Sequence, residues 1–273
     1  MAFPYCNRKI LTVLILLSGG VILWSSPKVL TRWQQSQAVN DVTVIVPPST
    51  ALPASSLESD ASSPLRDDPA TSFPDRVNLD VPFTSQAPYA VWDEHAKEAC
   101  EEASVTMAQW YAQGRKGSQT TQYNNLIPPD YMDGQTHDLI DWQQNTFGYY
   151  EDTNTEETLR MLTEKLGVKN ARTITDVSEE SFKRELIRGN ILVVPVAGQL
   201  LKNPFFQGDG PAYHKIVVRG YNEKGFITNE PGISKGEGYV YSAEMLINAV
   251  HDWTGDDSTI QNGKKVAIVI GLE

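Results

Sequence analysis

Apolar residues along this chain fall into two regimes. Between Cys100 and Arg188 they recur at helical spacing, and beyond Ile191 they gather into short runs bounded by turn residues. Cys100 to Tyr111 sets Ala103, Met107, Trp110 and Tyr111 on one stripe, with Gly114 as a stop. His137 to Phe147 carries Leu139, Ile140, Trp142 and Phe147 and predicts a second helix. Two more follow, Thr155 to Leu166 closed by Gly167 and Ser178 to Arg188 closed by Gly189, each with a Thr or Ser near its start. Ile191 to Val196 is then a continuous apolar run, and Lys215 to Tyr221, Gly225 to Asn229, Gly238 to Tyr241 and Val266 to Ile270 predict further strands. Asn222-Glu223-Lys224-Gly225 supplies one of the turns, and Ser242 to Val250 predicts an interrupting helix. Val77 to Phe83 alternates like a short edge strand ended by Pro82. Helices first and mostly antiparallel strands second make the expected fold class α+β.

The first quarter has neither period. Arg8 and Lys9 precede an apolar run from Ile10 to Trp24, broken only by Thr12, Ser18, Gly19 and Gly20. This pattern predicts a signal segment, and we expect a retained anchor, or a secreted protein if the segment is cut. The run is short for a spanning helix, which takes roughly 20 residues. From Gln34 to Asp75 the chain turns rich in Pro, Ser, Thr and Ala, which predicts a flexible stalk. The expected organisation is therefore an anchor over 1–33, a stalk over 34–75 and one folded domain over 76–273, held outside the cytoplasm.

Charge narrows the partners. Lys and Arg number 23 against 34 Asp and Glu, a net charge of −11. Before Val77 the signs balance, so the whole imbalance belongs to the domain. A body that acidic repels nucleic acid and anionic lipid headgroups. The membrane enters the expected partners only through the N-terminal anchor.

The two cysteines then carry the chemistry. Cys6 precedes the apolar run, and Cys100 is the only cysteine after it. Across a membrane the two cannot pair, so Cys100 is either a small buried hydrophobe or a reactive thiol. It stands at a helix start, where roughly half a positive charge and unpaired N–H groups favour a thiolate. Glu101 and Glu102 oppose that ionisation while suiting the helix start. A base is found in Tyr213-His214-Lys215-Ile216, where His214 enters an apolar strand after Gly208-Asp209-Gly210-Pro211. His95 is nearer in sequence but sits in a polar stretch. Asn229 and Glu230 end the next strand on opposite faces, so only one can face the histidine and orient it, and Asn-Glu-Pro-Gly is also ordinary turn chemistry. Gln86 in Ser85-Gln86-Ala87-Pro88 is a candidate oxyanion donor. Close ligand pairs for zinc are missing, and neither a metal nor an organic cofactor is expected.

These stretches resemble cysteine peptidase family 39, and more closely its stand-alone 39-like relatives. The resemblance is carried by Val81-Pro82-Phe83-Thr84-Ser85-Gln86, by Cys100 opening a helix, by Tyr213 to Tyr221 and by Ile227-Thr228-Asn229-Glu230-Pro231. It implies a papain-like fold, with a helical half facing a sheet across a cleft. It further implies Cys100 as nucleophile, His214 as base and Gln86 as oxyanion donor. The family's acid precedes the proline, which here is Glu230 in place of the usual Asp, while Asn229 could serve as asparagine does in papain-type enzymes. Cys100-Glu101-Glu102 replaces the common Cys-Gly-Pro. The core family cleaves leader peptides inside bacteriocin exporters, but no ATP-binding cassette follows here and that role is not expected. The expected substrate is a peptide or protein, with cell-wall peptide among the options. The competing expectation is a binding module on the same fold that recognises peptide or cell-wall material without cleaving it.

Overall fold

The computed structural model describes residues 73–273. The proposed anchor and nearly all of the stalk lie outside the described residues. Among the described residues no helix is long and apolar enough to cross a membrane.

A seven-stranded sheet organises the domain, with strands in the order β2-β7-β3-β4-β5-β6 and β1 paired to β4. The strands are β1 (Val77–Asn78), β2 (Ala171–Ile174), β3 (Ile191–Ala197), β4 (Tyr213–Asn222), β5 (Gly225–Asn229), β6 (Glu237–Tyr241) and β7 (Ala267–Ile270). Every strand pairing in it is antiparallel. The helices are α1 (Glu94–Glu98), α2 (Cys100–Ala112), α3 (Pro129–Phe147), α4 (Thr155–Arg160), α5 (Glu179–Ile187) and α6 (Ala243–Ala249). The α+β expectation holds.

Strand alternation builds two cores, one on each face of the sheet. Ile191, Val193, Val217, Ile268 and Ile270 join Met107, Trp110 and Leu139 from α2 and α3 on one face. Leu192, Val194, Ile216, Val218 and Val269 join Phe182 and Leu186 of α5 and Leu246 of α6 on the other. The near-continuous apolar run of β3 follows from this, because both of its faces are covered. Helix α2 lies under the sheet and is buried along its whole length, including Glu101, Glu102, Ser104, Thr106 and Gln109.

Several elements differ from expectation. Helix α3 begins at Pro129, two turns before His137. Its buried positions Met132, Thr136, Leu139, Ile140 and Gln143 keep helical spacing, but two are polar and Gly134 interrupts, so the apolar period starts late. The expected strand from Val77 to Phe83 shrinks to two residues, and Phe83 instead bridges Leu126. Helix α4 passes after Arg160 into one π turn, Met161–Lys165, closed by Leu166 N–H donating to the Met161 carbonyl at 3.0 Å. Strand β2 has no counterpart among the expected elements: Arg172 and Thr173 are exposed, which leaves no apolar run to read.

Candidate active site

The nucleophile candidate is placed by a helix boundary. Asp93 caps α1 by accepting from the Ala96 N–H at 2.8 Å, Ala99 separates α1 from α2, and Cys100 is the first residue of α2. Cys100 is 6 % exposed and lies on a cleft of about 560 Å³. His214, Gln86, Asp152, Trp92 and Phe206 line the same cleft.

His214 is the second residue of β4, and the chain is packed closely around it: at Gly198 a Cβ would come within 3.2 Å of the His214 Cβ. Its Nε2 is 2.5 Å from Glu230 Oε1, and both side chains are almost wholly buried. Glu230 is itself held on three sides. Its Oε1 also accepts from the Gly232 N–H at 3.0 Å, and its Oε2 accepts from the Tyr241 hydroxyl at 2.9 Å. That hydroxyl accepts from Asn203 Nδ2 at 2.7 Å. An acceptor-only carboxylate at Nε2 fixes the proton there and leaves Nδ1 with its lone pair. Gly236 makes the turn possible, since a Cβ there would sit 1.8 Å from the Glu230 carbonyl oxygen.

Asn229 faces elsewhere. It donates to the carbonyls of Val81 and Pro82, each at 3.2 Å, and accepts from Arg219 Nη1 at 3.2 Å. It has no hydrogen bond to His214. Of the two candidates at the end of β5, the one that meets the imidazole is Glu230.

Gln86 sits on a loop tied to the Glu230 turn, its backbone N–H donating to the Pro231 carbonyl at 3.1 Å. Its side-chain amide donates to the carbonyls of Ala96 and Lys97 at 2.9 and 3.1 Å. An amide has two hydrogens, and both have acceptors at the end of α1. The Oε1 atom is buried without a partner among the described residues.

Beneath Cys100 lies a polar layer that motif spacing did not reveal. The Cys100 thiol donates to Glu101 Oε2 at 2.8 Å. Glu101 Oε1 accepts from the Thr153 N–H at 3.1 Å and pairs with Lys215 Nζ at 3.4 Å. Lys215 also donates to the Thr153 carbonyl and the Thr158 hydroxyl, each at 2.6 Å. Burial, and then the charge and hydrogen bond of Glu101, push the Cys100 thiol well above the ordinary range, with Lys215 pulling the other way. Burial, followed by the charge of Glu101, pushes the Asp152 carboxyl up to about 8. A signal for this layer was present: a lysine inside the apolar run of β4, next to His214 and therefore on the opposite face, requires a buried acid. The rival histidine, His95, packs edge-on against His137 and Tyr150 and has no part in the cleft that holds Cys100.

Comparison with protein families gives a match over residues 78–257 to the Peptidase_C39 like family. The chain belongs to that family. The resemblance expected from Cys100, His214 and their flanking motifs is thus shown, and with it a cysteine peptidase-like function. Among solved structures, a C39-like peptidase candidate from Bacillus anthracis aligns at 15 % identity and a TM-score of 0.44, over 73 % of this chain and 99 % of that one. A fragment of prointerpain A from Prevotella intermedia, carrying one cysteine-to-alanine substitution, aligns at 12 % identity and a TM-score of 0.43, over 75 % of this chain and 74 % of that one. No curated protein sequence matches the chain.

Proposed function

We propose that this Peptidase_C39 like domain hydrolyses peptide or related amide bonds with Cys100 as nucleophile, His214 as base and Glu230 as the group that orients the base. The observation that carries the reading is the His214–Glu230 contact at 2.5 Å, which engages Nε2 and leaves Nδ1 for the role of base, with His214 and Cys100 lining one cleft. The thiol proton passes to Nδ1 as the sulfur attacks the carbonyl carbon. The imidazolium so formed is stabilised by Glu230, then gives its proton to the leaving amine. Water attacks the remaining thioester with His214 again accepting a proton, and the carboxylic acid leaves as Cys100 regains its hydrogen.

The developing oxyanion is met by the Cys100 backbone N–H and by Gln86, whose amide must release one of the two α1 carbonyls to donate. Aromatic rings at Trp92, Phe205 and Phe206 border the cleft and suit an extended peptide. The apolar run and the Pro/Ser-rich segment ahead of residue 73 support a domain tethered outside the cytoplasm. The test is a peptide-library digest by the full chain and by Cys100→Ala: cleavage is expected only with Cys100 present. Equal cleavage by the variant would overturn the reading.

One observation favours a second reading. The thiol is hydrogen-bonded to Glu101 at 2.8 Å, which disfavours its ionisation and fits a domain that binds peptide or cell-wall material without cutting it. On that reading Cys100 is alkylated by iodoacetamide no faster than a free thiol in every state, including with peptide bound.

A further inference from the structure

Glu101 Oε1 and Oε2 have different work. Oε1 takes the Thr153 N–H and the Lys215 ammonium, while the only partner of Oε2 among the described residues is the Cys100 thiol at 2.8 Å. Glu101 and Lys215 are each about 1 % exposed, so neither the carboxylate nor its cation can be relieved by water. Removing the thiol proton in this arrangement would set a thiolate against a carboxylate and leave Oε2 with no donor. The sulfur can ionise only by turning away from Glu101. The bland alternative, that Glu101 merely complements the N-terminus of α2, accounts for a charge in the first turn. It does not account for an oxygen held against the thiol by a lysine from the facing strand.

The groups surrounding the sulfur come from every neighbouring element. They are Lys97 and Glu98 on α1, Glu101 on α2, Asp152 between α3 and α4, Tyr213, His214 and Lys215 on β4, and Asp257 after α6. Lys97 is exposed, and Lys215 is the buried cation among them, its Nζ already drawn to Glu101, Thr153 and Thr158. We propose that Glu101, anchored by Lys215, is a resting latch on Cys100: it holds the thiol un-ionised until a bound peptide turns the sulfur toward His214. The last clause rests on the peptidase reading; the latch itself does not. No oxidation or new bond is involved, only the exchange of one proton acceptor, Glu101 Oε2, for another, His214 Nδ1.

The experiment is iodoacetamide alkylation of the full chain across pH, read by mass spectrometry on the Cys100 peptide so that Cys6 does not contribute. Removing a like charge this close lowers the midpoint by about one unit or more. Glu101→Gln is therefore expected to alkylate about tenfold faster than the natural protein at pH 7. The plateau rate at high pH, which reports access to the sulfur, stays within about threefold. Glu101→Asp retains the charge near Lys215 but draws it back from the sulfur, and is expected to shift the midpoint the same way by less. If Glu101→Gln does not fold by circular dichroism, Glu101→Asp decides by the same criterion. An unchanged or raised midpoint overturns the latch, as does a change of plateau alone, which is what loosened packing gives. Peptide turnover separates the two readings. A shifted midpoint in a chain that cleaves nothing leaves the latch and removes the peptidase, and turnover with an unmoved midpoint does the reverse.

Discussion

Replacing Glu230 by Gln isolates what the carboxylate contributes, because the shape is kept and only charge and one acceptor are lost. In the natural protein Oε1 serves His214 Nε2 and the Gly232 N–H, and Oε2 serves the Tyr241 hydroxyl. The variant best keeps its amide oxygen at the Oε1 position, which preserves the imidazole tautomer. Its NH2 group then meets a tyrosine oxygen that already accepts from Asn203, so the hydroxyl hydrogen of Tyr241 loses its acceptor. A hydrogen bond to a charged group is worth about 1.5–3 kcal/mol and a buried neutral one about 1 kcal/mol. Loss of the charge from an imidazolium that forms in the transition state comes to about 1.5–3 kcal/mol, or a fall of about 10–10² in rate, while the tyrosine bond is lost in ground and transition state alike and shows in stability. If the amide instead turns its NH2 to Nε2, the wrong tautomer is enforced and the fall approaches about 10⁴, as in the serine triad. The assay is kcat/KM on a peptide that the natural chain cleaves, with thermal unfolding to confirm the fold. A rate within about threefold of the natural protein would refute the orienting role.

Other substitutions test neighbouring contacts. Gly232→Ala places a Cβ 3.2 Å from both Glu230 Oε1 and His214 Cε1, so turnover should fall about tenfold or more while urea unfolding changes by less than about 1 kcal/mol. Asn229→Ala strips bonds from the Val81 and Pro82 carbonyls and from Arg219, and should cost about 2–4 kcal/mol in urea unfolding while leaving the pH midpoint of turnover in place. Stability should fall as pH rises from about 5 to 8. Burial pushes Glu102 up to about 8 and Asp152 to about 8, against roughly 4 in an unfolded chain, so through that window the native state holds protons that the unfolded state has lost. Above about 8 both states are deprotonated and the slope ends, and Glu102→Gln should flatten the calorimetric Tm profile. The proton on Glu102 has a structural use: among the described residues its Oε2 and Gln143 Oε1 are both buried without partners, and a protonated carboxyl supplies a donor where a carboxylate has none.

The strongest parts of the fold were legible because their apolar periods are unbroken. β3 is covered on both faces and reads as a continuous apolar run, and α5 is announced by Ser178, which accepts from the Ser181 N–H at 3.1 Å. What could not be read is where burial is polar. The first two turns of α3 hide behind Thr136 and Gly134, and β2 lies at a sheet edge with Arg172 and Thr173 facing water. In the candidate site, residue type and flanking pattern were enough to single out Cys100 and His214, which the fold brings to one cleft. The choice between Asn229 and Glu230 was not legible, because it depends on the register of β5 against β4, where Asn229 pairs with Val217 and so takes the face opposite His214. Lys215 inside β4 signals that a buried acid must face it, but that the acid is Glu101, 114 residues away, is set by the packing of α2 on β4.

Central to the proposed mechanism is a covalent bond forming at one sulfur. Incubating the full chain with a peptide ester of a cleaved sequence and quenching in acid should show an acyl adduct on the Cys100 peptide by mass spectrometry. That adduct should be strongly reduced in His214→Ala. An adduct on another residue, or peptide cleavage that proceeds with Cys100 unmodified and unaffected by prior alkylation, would contradict it.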